Sequence, residues 1–418
     1  MKNVHQILSQ EEKFYGNTNP IELIKKYSSP LYVYNEKILK KRCGEMKRLS
    51  TYKNFVINYS AKANTNLELL KIIKDEGLNI DVVSPGELYL TLKAGFEPEQ
   101  ILFTGNNIAE DDMKFAVDAG ITISIDSLSQ LEIYGKQNPG GEVALRFNPG
   151  IGAGHHKKVM TAGKDTKFGI DKAFIDQIKR VTGKHKLKII GINQHIGSLF
   201  MRSDAYLKAC KKLLKIAANF NNLKFIDFGG GFGIPYHKNN NESRLDLDNM
   251  GKKLDKIINS WIKKNKKELI FKIEPGRYIC AECGILLGTV HSIKQNYKIK
   301  YIGTDIGFNV LMRPAMYDSY HDVEIYRDNG KNSEKTEKVT IVGNICETGD
   351  IIAKDRILPE IYEKDIIGIL DAGAYCYSMC SNYNSRLRPA EILIKENGEH
   401  MLIRKKEVFA DLMRGFVI

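Results

Sequence analysis

FVINYSAKA (55–63), IDVVS (80–84), ILFTG (101–105), ITISID (121–126), VALRFNPG (143–150), LKIIGINQHIG (187–197), LKFIDFGGG (223–231) and FKIEPG (271–276) are short apolar runs, each closed by turn residues. Their length and their valine, isoleucine and phenylalanine content mark them as strands. Between them lie segments of helical period, among them NLELLKIIKDEG, SLSQLEIYG and AYLKACKKLLKIAANF. Strand then helix, repeated to an eighth strand, predicts an α/β fold, a (β/α)8 TIM barrel. A doubly wound open sheet competes, but eight units favour closure.

After about residue 280 the helical period fades. LLGTVHSIKQ, KIKYIGTDI, DVEIYR, KVTIVG, DIIGILDAG and EILIKENGEHMLIRKKE alternate or run as strands with turns between them. An all-β C-terminal domain, sandwich-like or barrel-like, is therefore expected after the barrel. SPLYVYNEK (29–37) is also strand-like and is expected to join it. The chain then divides into an N-terminal segment at 1–36, the barrel at 37–280 and the β domain at 281–418. NGKNSEKTE (329–337) reads as a polar hairpin tip.

Composition narrows the function classes. With 418 residues, 43% hydrophobic and 27% charged, the chain can bury a sizeable core, which excludes disorder, collagen and coiled coil. No run of about 18 apolar residues appears, so no spanning helix is expected. The opening MKNVHQILSQEEKFYG lacks an apolar core, so no secretory signal is expected. Seven cysteines, odd in number and scattered, read as reduced thiols of a cytoplasmic protein. Lys+Arg 63 against Asp+Glu 50 gives a net charge of +13, but the lysines are spread along helices without a dense block. That pattern reads as a solvated surface, with neither a nucleic acid nor a membrane as partner.

In a barrel of this type the chemistry sits at the C-terminal ends of the strands. Lys62 closes the first strand and Ser84 the second. His195, Gly197 and Ser198 close the sixth, Gly229, Gly230, Gly231 and Gly233 the seventh, and Glu274, Gly276 and Arg277 the eighth. A lysine at such a place is either paired in a salt bridge or desolvated and able to form a Schiff base. Glycines after strand seven let backbone N–H groups approach an anion, although tight turns need glycine too. His195 offers a flat imidazole and Ser198 a hydroxyl. Glu274 beside a pyridine nitrogen would keep that ring protonated, an electron sink. Together, lysine, anion cradle, imidazole and carboxylate match what pyridoxal phosphate needs.

YSAKAN, HIGS, DFGGGFG and EPGR lie in the order and spacing of the alanine racemase-like pyridoxal phosphate decarboxylases, which the chain resembles. MRPAMYDSYH (312–321), GNICETGD (343–350), DAGAY (371–375) and SNYNSRLRPAEI (381–392) resemble the diaminopimelate decarboxylase family in particular. The resemblance runs from SPLYVYN to RPAEI. It implies that Lys62 holds pyridoxal 5'-phosphate as a Schiff base, and that His195 faces the ring. Ser198, Gly231, Gly233 and the backbone of Glu274, Pro275, Gly276 and Arg277 would hold the phosphate. Glu274 would meet the pyridine nitrogen and Tyr375 would complete the site. For the substrate, it implies that Arg277, Arg313, Tyr317 and Tyr375 bind the retained carboxylate and its surroundings. Glu347 would bind the distal ammonium, and Cys346 would donate the proton from the second subunit of a homodimer with shared active sites. The implied activity is conversion of meso-2,6-diaminopimelate to L-lysine and carbon dioxide, the last step of lysine biosynthesis.

Two positions depart from the family pattern: Cys376 stands where glycine is usual and Thr348 where serine is commoner. Neither is a proposed catalytic group. His155 and His156 are adjacent and lack further spaced ligands, and Cys280 and Cys283 form a lone CxxC, so no metal is expected. The competing readings are a decarboxylase of another basic amino acid, of D-lysine, D-ornithine or carboxynorspermidine type, and a non-catalytic cofactor-binding homologue. Glu347 after Cys346, with the RPAMY segment, speaks against L-ornithine-type relatives, which resemble CD at that place, but leaves the D-amino-acid relatives, which share many of these residues, open. Retention of Lys62 and Cys346, together with a second domain, speaks against a carrier.

Overall fold

The first strand, β1 (Leu31–Asn35), does not enter the barrel. The computed structural model describes residues 8–152, 161–163, 166–238, 242–328 and 335–417, so His155, His156 and most of the 329–337 tip lie outside the described residues. Two compact units divide the chain. One comprises Met1–Leu39, Pro235–Ser243 and Cys280–Ile418, and the other Lys40–Ile234 and Arg244–Ile279.

The second of these is a closed barrel of eight parallel strands: β2 (Phe55–Ser60), β3 (Asn79–Val82), β4 (Ile101–Phe103), β5 (Thr122–Ile125), β6 (Glu142–Arg146), β7 (Lys188–Asn193), β8 (Phe225–Asp227) and β9 (Ile270–Ile273). Closure is the pairing of β2 with β9, Phe55 opposite Phe271 and Ile57 opposite Ile273. The strands are buried on both faces, as parallel strands under a coat of helices must be, which is why each reads as an apolar run. Polar residues at strand ends start the helices. Ser84 accepts from the Glu87 N–H ahead of Pro85–Lys93, Asn66 from Glu68 ahead of Leu67–Asp75, and Ser127 from Gln130 ahead of Leu128–Gln137. Ser84 is thus a helix cap.

The other unit is built on one nine-stranded mixed sheet. Its strands are β1, β10 (Gly284–Asn296), β11 (Ile299–Thr304), β12 (Val323–Tyr326), β13 (Thr336–Val342), β14 (Ile351–Pro359), β15 (Ile366–Ile369), β16 (Ala390–Ile394) and β17 (His400–Arg404). β1 lies antiparallel to β10 and parallel to β16. Leu31, Val33, Ile285, Leu287, Ile392 and Ile394 form its apolar core with Phe14 and Leu23. β14 is the strand that the sequence pattern does not announce. Its exposed middle residues, Lys354 and Asp355, interrupt the apolar run, and its register against β13 shifts twice.

The excursion Pro235–Ser243, which follows the glycine run directly, belongs to this β unit. Lys238 ties it there: its ammonium lies 2.6 Å from Asp371 Oδ1 and 3.3 Å from Glu282 Oε1, and its N–H donates to Asp322 Oδ2 at 2.9 Å. No helix of the described residues is long and apolar enough to cross a membrane.

Candidate active site

Four strand ends of the barrel supply the candidate groups. Lys62 stands in the single 3-10 turn Ala61–Ala63 that follows β2, its Nζ 2.9 Å from Oδ2 of Asp81. Asp81 is fully buried on β3 and also accepts from Ser60 Oγ at 3.1 Å and from the Thr104 hydroxyl. Burial raises the Asp81 carboxyl above its ordinary range, against the pull of the Lys62 ammonium.

After β7, His195 places Nδ1 3.4 Å from Glu274 Oε2 and 3.2 Å from the Gly230 nitrogen. Burial pushes the imidazole below its usual range although Glu274 opposes it, so the ring is held neutral. Glu274 follows β9 and is 2% exposed. Burial alone would raise its carboxyl, but the hydrogen bond from His195 and the charges of Lys62 and Arg146 outweigh that and hold it low. Arg277 Nη2 donates to Ser198 Oγ at 3.0 Å, which joins the loops after β7 and β9.

The glycines after β8 are there because nothing else fits. A Cβ on Gly230 would collide with the Glu274 carbonyl, and one on Gly233 would sit 2.5 Å from Met201 Sδ and 2.7 Å from the Phe200 carbonyl oxygen. Gly231 adopts φ +105, open to glycine, with the Gly197 carbonyl oxygen 2.5 Å from where its Cβ would be. These residues fit pyridoxal phosphate. Glu274 keeps an anionic carboxylate whose Oε1 has no hydrogen-bond partner among the described residues, as a pyridinium nitrogen would require. Bare backbone lines the loop after β8, as a phosphate requires.

Lys62, His195, Ser198, Gly231, Gly233, Glu274, Pro275, Gly276 and Arg277 are therefore all at barrel strand ends. Arg313, Tyr317, Cys346, Glu347 and Tyr375 belong to the β unit. There Arg313 is 1% exposed in the helix Met312–Tyr317, with Nη1 2.6 Å from His321 Nε2, while His321 Nδ1 is 2.7 Å from the Leu370 carbonyl oxygen. Because a carbonyl only accepts, Nδ1 carries the proton and Nε2 accepts from Arg313. Cys346 is an exposed thiol, its N–H donating to Asn384 Oδ1 at 2.8 Å, and Glu347 accepts from the Tyr383 hydroxyl. Tyr375 adopts φ +57. The departure Cys376 is buried, donating to the Ala374 carbonyl at 3.3 Å. Cys280 and Cys283 are buried thiols, Cys283 donating to the Cys280 carbonyl at 3.0 Å.

Sequence reasoning passed over three charged groups in the barrel. Asp81, Asp227 and Arg146 are buried on β3, β8 and β6, and the guanidinium of Arg146 lies 4.7 Å over the Phe168 ring. Burial raises Asp227 and lowers Arg146, which faces Glu274, Asp126 and Asp81. The available signal was a charge inside an apolar strand run, as in IDVVS, FIDFGGG and VALRFNPG.

The chain is similar to known proteins over nearly its whole length. Residues 37–281 match the family model described as pyridoxal-dependent decarboxylase, pyridoxal binding domain. A diaminopimelate decarboxylase of Methanothermobacter thermautotrophicus is 40% identical over 96% of this chain and 94% of its own. One from Escherichia coli is 31% identical over 94% and 95%. The crystal structure of the Helicobacter pylori diaminopimelate decarboxylase complexed with L-lysine superposes with a TM-score of 0.86 at 30% identity, covering 95% of this chain and 98% of that one. With the family model over the barrel and full-length relatives at this identity, the chain belongs to the pyridoxal-dependent decarboxylases, in the diaminopimelate decarboxylase family.

Proposed function

We propose that this chain converts meso-2,6-diaminopimelate to L-lysine and carbon dioxide, acting as a homodimer in the cytoplasm with pyridoxal phosphate carried on Lys62. The observation that carries this reading is the convergence of Lys62, His195 and an anionic Glu274 with a glycine-lined loop on one barrel rim, in a chain similar over its full length to diaminopimelate decarboxylases. No disulfide joins any of the seven cysteines among the described residues, which supports the reducing compartment.

The bound cofactor supplies an electron sink for the bond to the departing carboxylate. The protein supplies the rest. Lys62 would hold the cofactor through its side-chain amine. Glu274 stays anionic and holds a proton at the pyridine nitrogen, while neutral His195 packs on the ring without competing for that proton. Ser198, oriented by Arg277, would bind the phosphate beside Gly231, Gly233 and the backbone of Glu274, Pro275, Gly276 and Arg277. Arg313 and Tyr317 bind the retained carboxylate, and Tyr375 closes the site. Glu347 binds the distal ammonium, a charge-assisted contact that selects for a second amino-acid head. Cys346, supplied by the second subunit, moves a proton from Sγ to the α-carbon that has lost its carboxylate.

The test is carbon dioxide release by purified protein with pyridoxal phosphate, offered meso-diaminopimelate, D-lysine, D-ornithine and L-ornithine in parallel. Preference for meso-diaminopimelate with L-lysine as product is expected. Preference for a monoamino acid would reassign Glu347, and silence on all four would overturn the decarboxylase reading.

A further inference from the structure

The turn that carries Cys346 and Glu347 is held by a second segment of the same unit. The Cys346 N–H donates to Asn384 Oδ1, while Asp350 accepts from the N–H groups of Ile345 and Phe308, both at 2.7 Å. Asn384 and Ser385 both have φ +54, a left-handed conformation costly for non-glycine residues, so the surrounding structure holds this segment in place. Beside Asn384, Tyr383 stacks on Phe308 with ring centroids 5.7 Å apart and planes 15° off parallel, and its hydroxyl donates to Glu347 Oε1. Glu347 is exposed and Tyr383 is 44% exposed. Packing therefore does not orient the Glu347 carboxylate; the phenol does. The carboxylate in turn pushes the phenol up, so it stays a protonated donor.

We propose that Tyr383 is a positioning residue for substrate selection: its hydroxyl fixes Oε1 of Glu347 and leaves Oε2 to accept the distal ammonium. This rests on the assignment of Glu347 to that ammonium. A free glutamate on an exposed turn spreads over many rotamers, and ordering it on binding weakens the contact it makes. A phenol stacked on Phe308 removes that cost before the substrate arrives.

The holoenzyme is assayed with meso-diaminopimelate and with D-2-aminopimelate, which lacks the distal amino group. Tyr383→Phe keeps the ring and its stacking but removes the donor. It is expected to raise KM for meso-diaminopimelate about tenfold with kcat little changed, and to leave kcat/KM for D-2-aminopimelate as it was. Discrimination between the two substrates then shrinks by the same factor. Equal losses on both substrates would mean that Tyr383 only supports the fold, and no loss on either would mean that Glu347 is placed without it. Glu347→Gln runs alongside. If it abolishes the discrimination while Tyr383→Phe does not, the role of Tyr383 alone falls. If Glu347→Gln keeps the discrimination, the assignment of Glu347 falls, and the proposal for Tyr383 with it.

Discussion

The Lys62 ammonium lies 2.9 Å from the carboxylate of Asp81, a residue with no exposed surface, at the junction of the first two barrel strands. Ser60 and Thr104 donate to the same carboxylate, so Asp81 keeps partners when the lysine is taken away. Lys62→Ala is therefore expected to fold, at a cost of about 1–2 kcal/mol in denaturant unfolding, less than a fully buried pair because the lysine side chain is 31% exposed. Pyridoxal phosphate added to the variant should lack the absorbance band of its lysine-linked form, and carbon dioxide release should vanish. An unchanged spectrum would remove Lys62 as the anchor.

His195 gives a pH dependence whose sign follows from its burial. Its folded-state affinity for a proton lies below the ordinary value of about 6.5, so below that pH the unfolded chain takes up a proton that the folded one refuses. Its contribution is complete above about 6.5 and is lost as pH falls through that value toward the folded one. Glu87 and Asp371, both lifted to about 7 by burial, titrate in the same window with the opposite sign, so the effect is read as a difference. Unfolding free energies of wild type and His195→Gln, measured at about pH 7.5 and about pH 5.5, should show wild type losing about 1 kcal/mol relative to the variant on acidification. Parallel curves would mean that the imidazole titrates as it does in water.

The barrel was legible because parallel strands buried on both faces must be apolar throughout, so β2 to β9 stand out as runs between helical segments. β14 was not, because Lys354 and Asp355 occupy its exposed middle where it bulges against β13. Lys62 and Glu274 could be singled out by their place at strand ends. Asp81 and Arg146 carry only the signal of a charge inside an apolar run, and only the folded barrel shows that they share one charge field with Glu274. Tyr383 sits in SNYNSRLRPAEI, yet its partner Glu347 is 36 residues away, a separation that no spacing rule connects.

Lys238 anchors the excursion 235–243 through two nearly buried carboxylates, Asp371 and Glu282. Lys238→Met removes the ammonium between them and leaves both buried carboxyls without their cationic partner. Unfolding should become easier by about 2–3 kcal/mol. Adding Asp371→Asn removes one of those carboxyls, and the double variant should regain about half of the loss. If the second substitution only adds to the damage, the three groups do not act as a network.

Cys346 is an exposed thiol on a turn fixed by Asn384, and the proposed role for it is to donate a proton from the neighbouring subunit. Cys346→Ala should keep the cofactor spectrum and lower kcat by about 10²–10⁴, the usual span for a lost general acid. The subunit origin has its own signature. Co-expressing Lys62→Ala with Cys346→Ala chains gives, on random pairing, about half mixed dimers. If the two groups come from different subunits, each mixed dimer has one site with both groups and one with neither. About a quarter of wild-type activity should then appear from two chains that are inactive or nearly so alone. If both groups come from one chain, every site lacks one of them and mixing restores nothing, which would place Cys346 in the site of its own subunit.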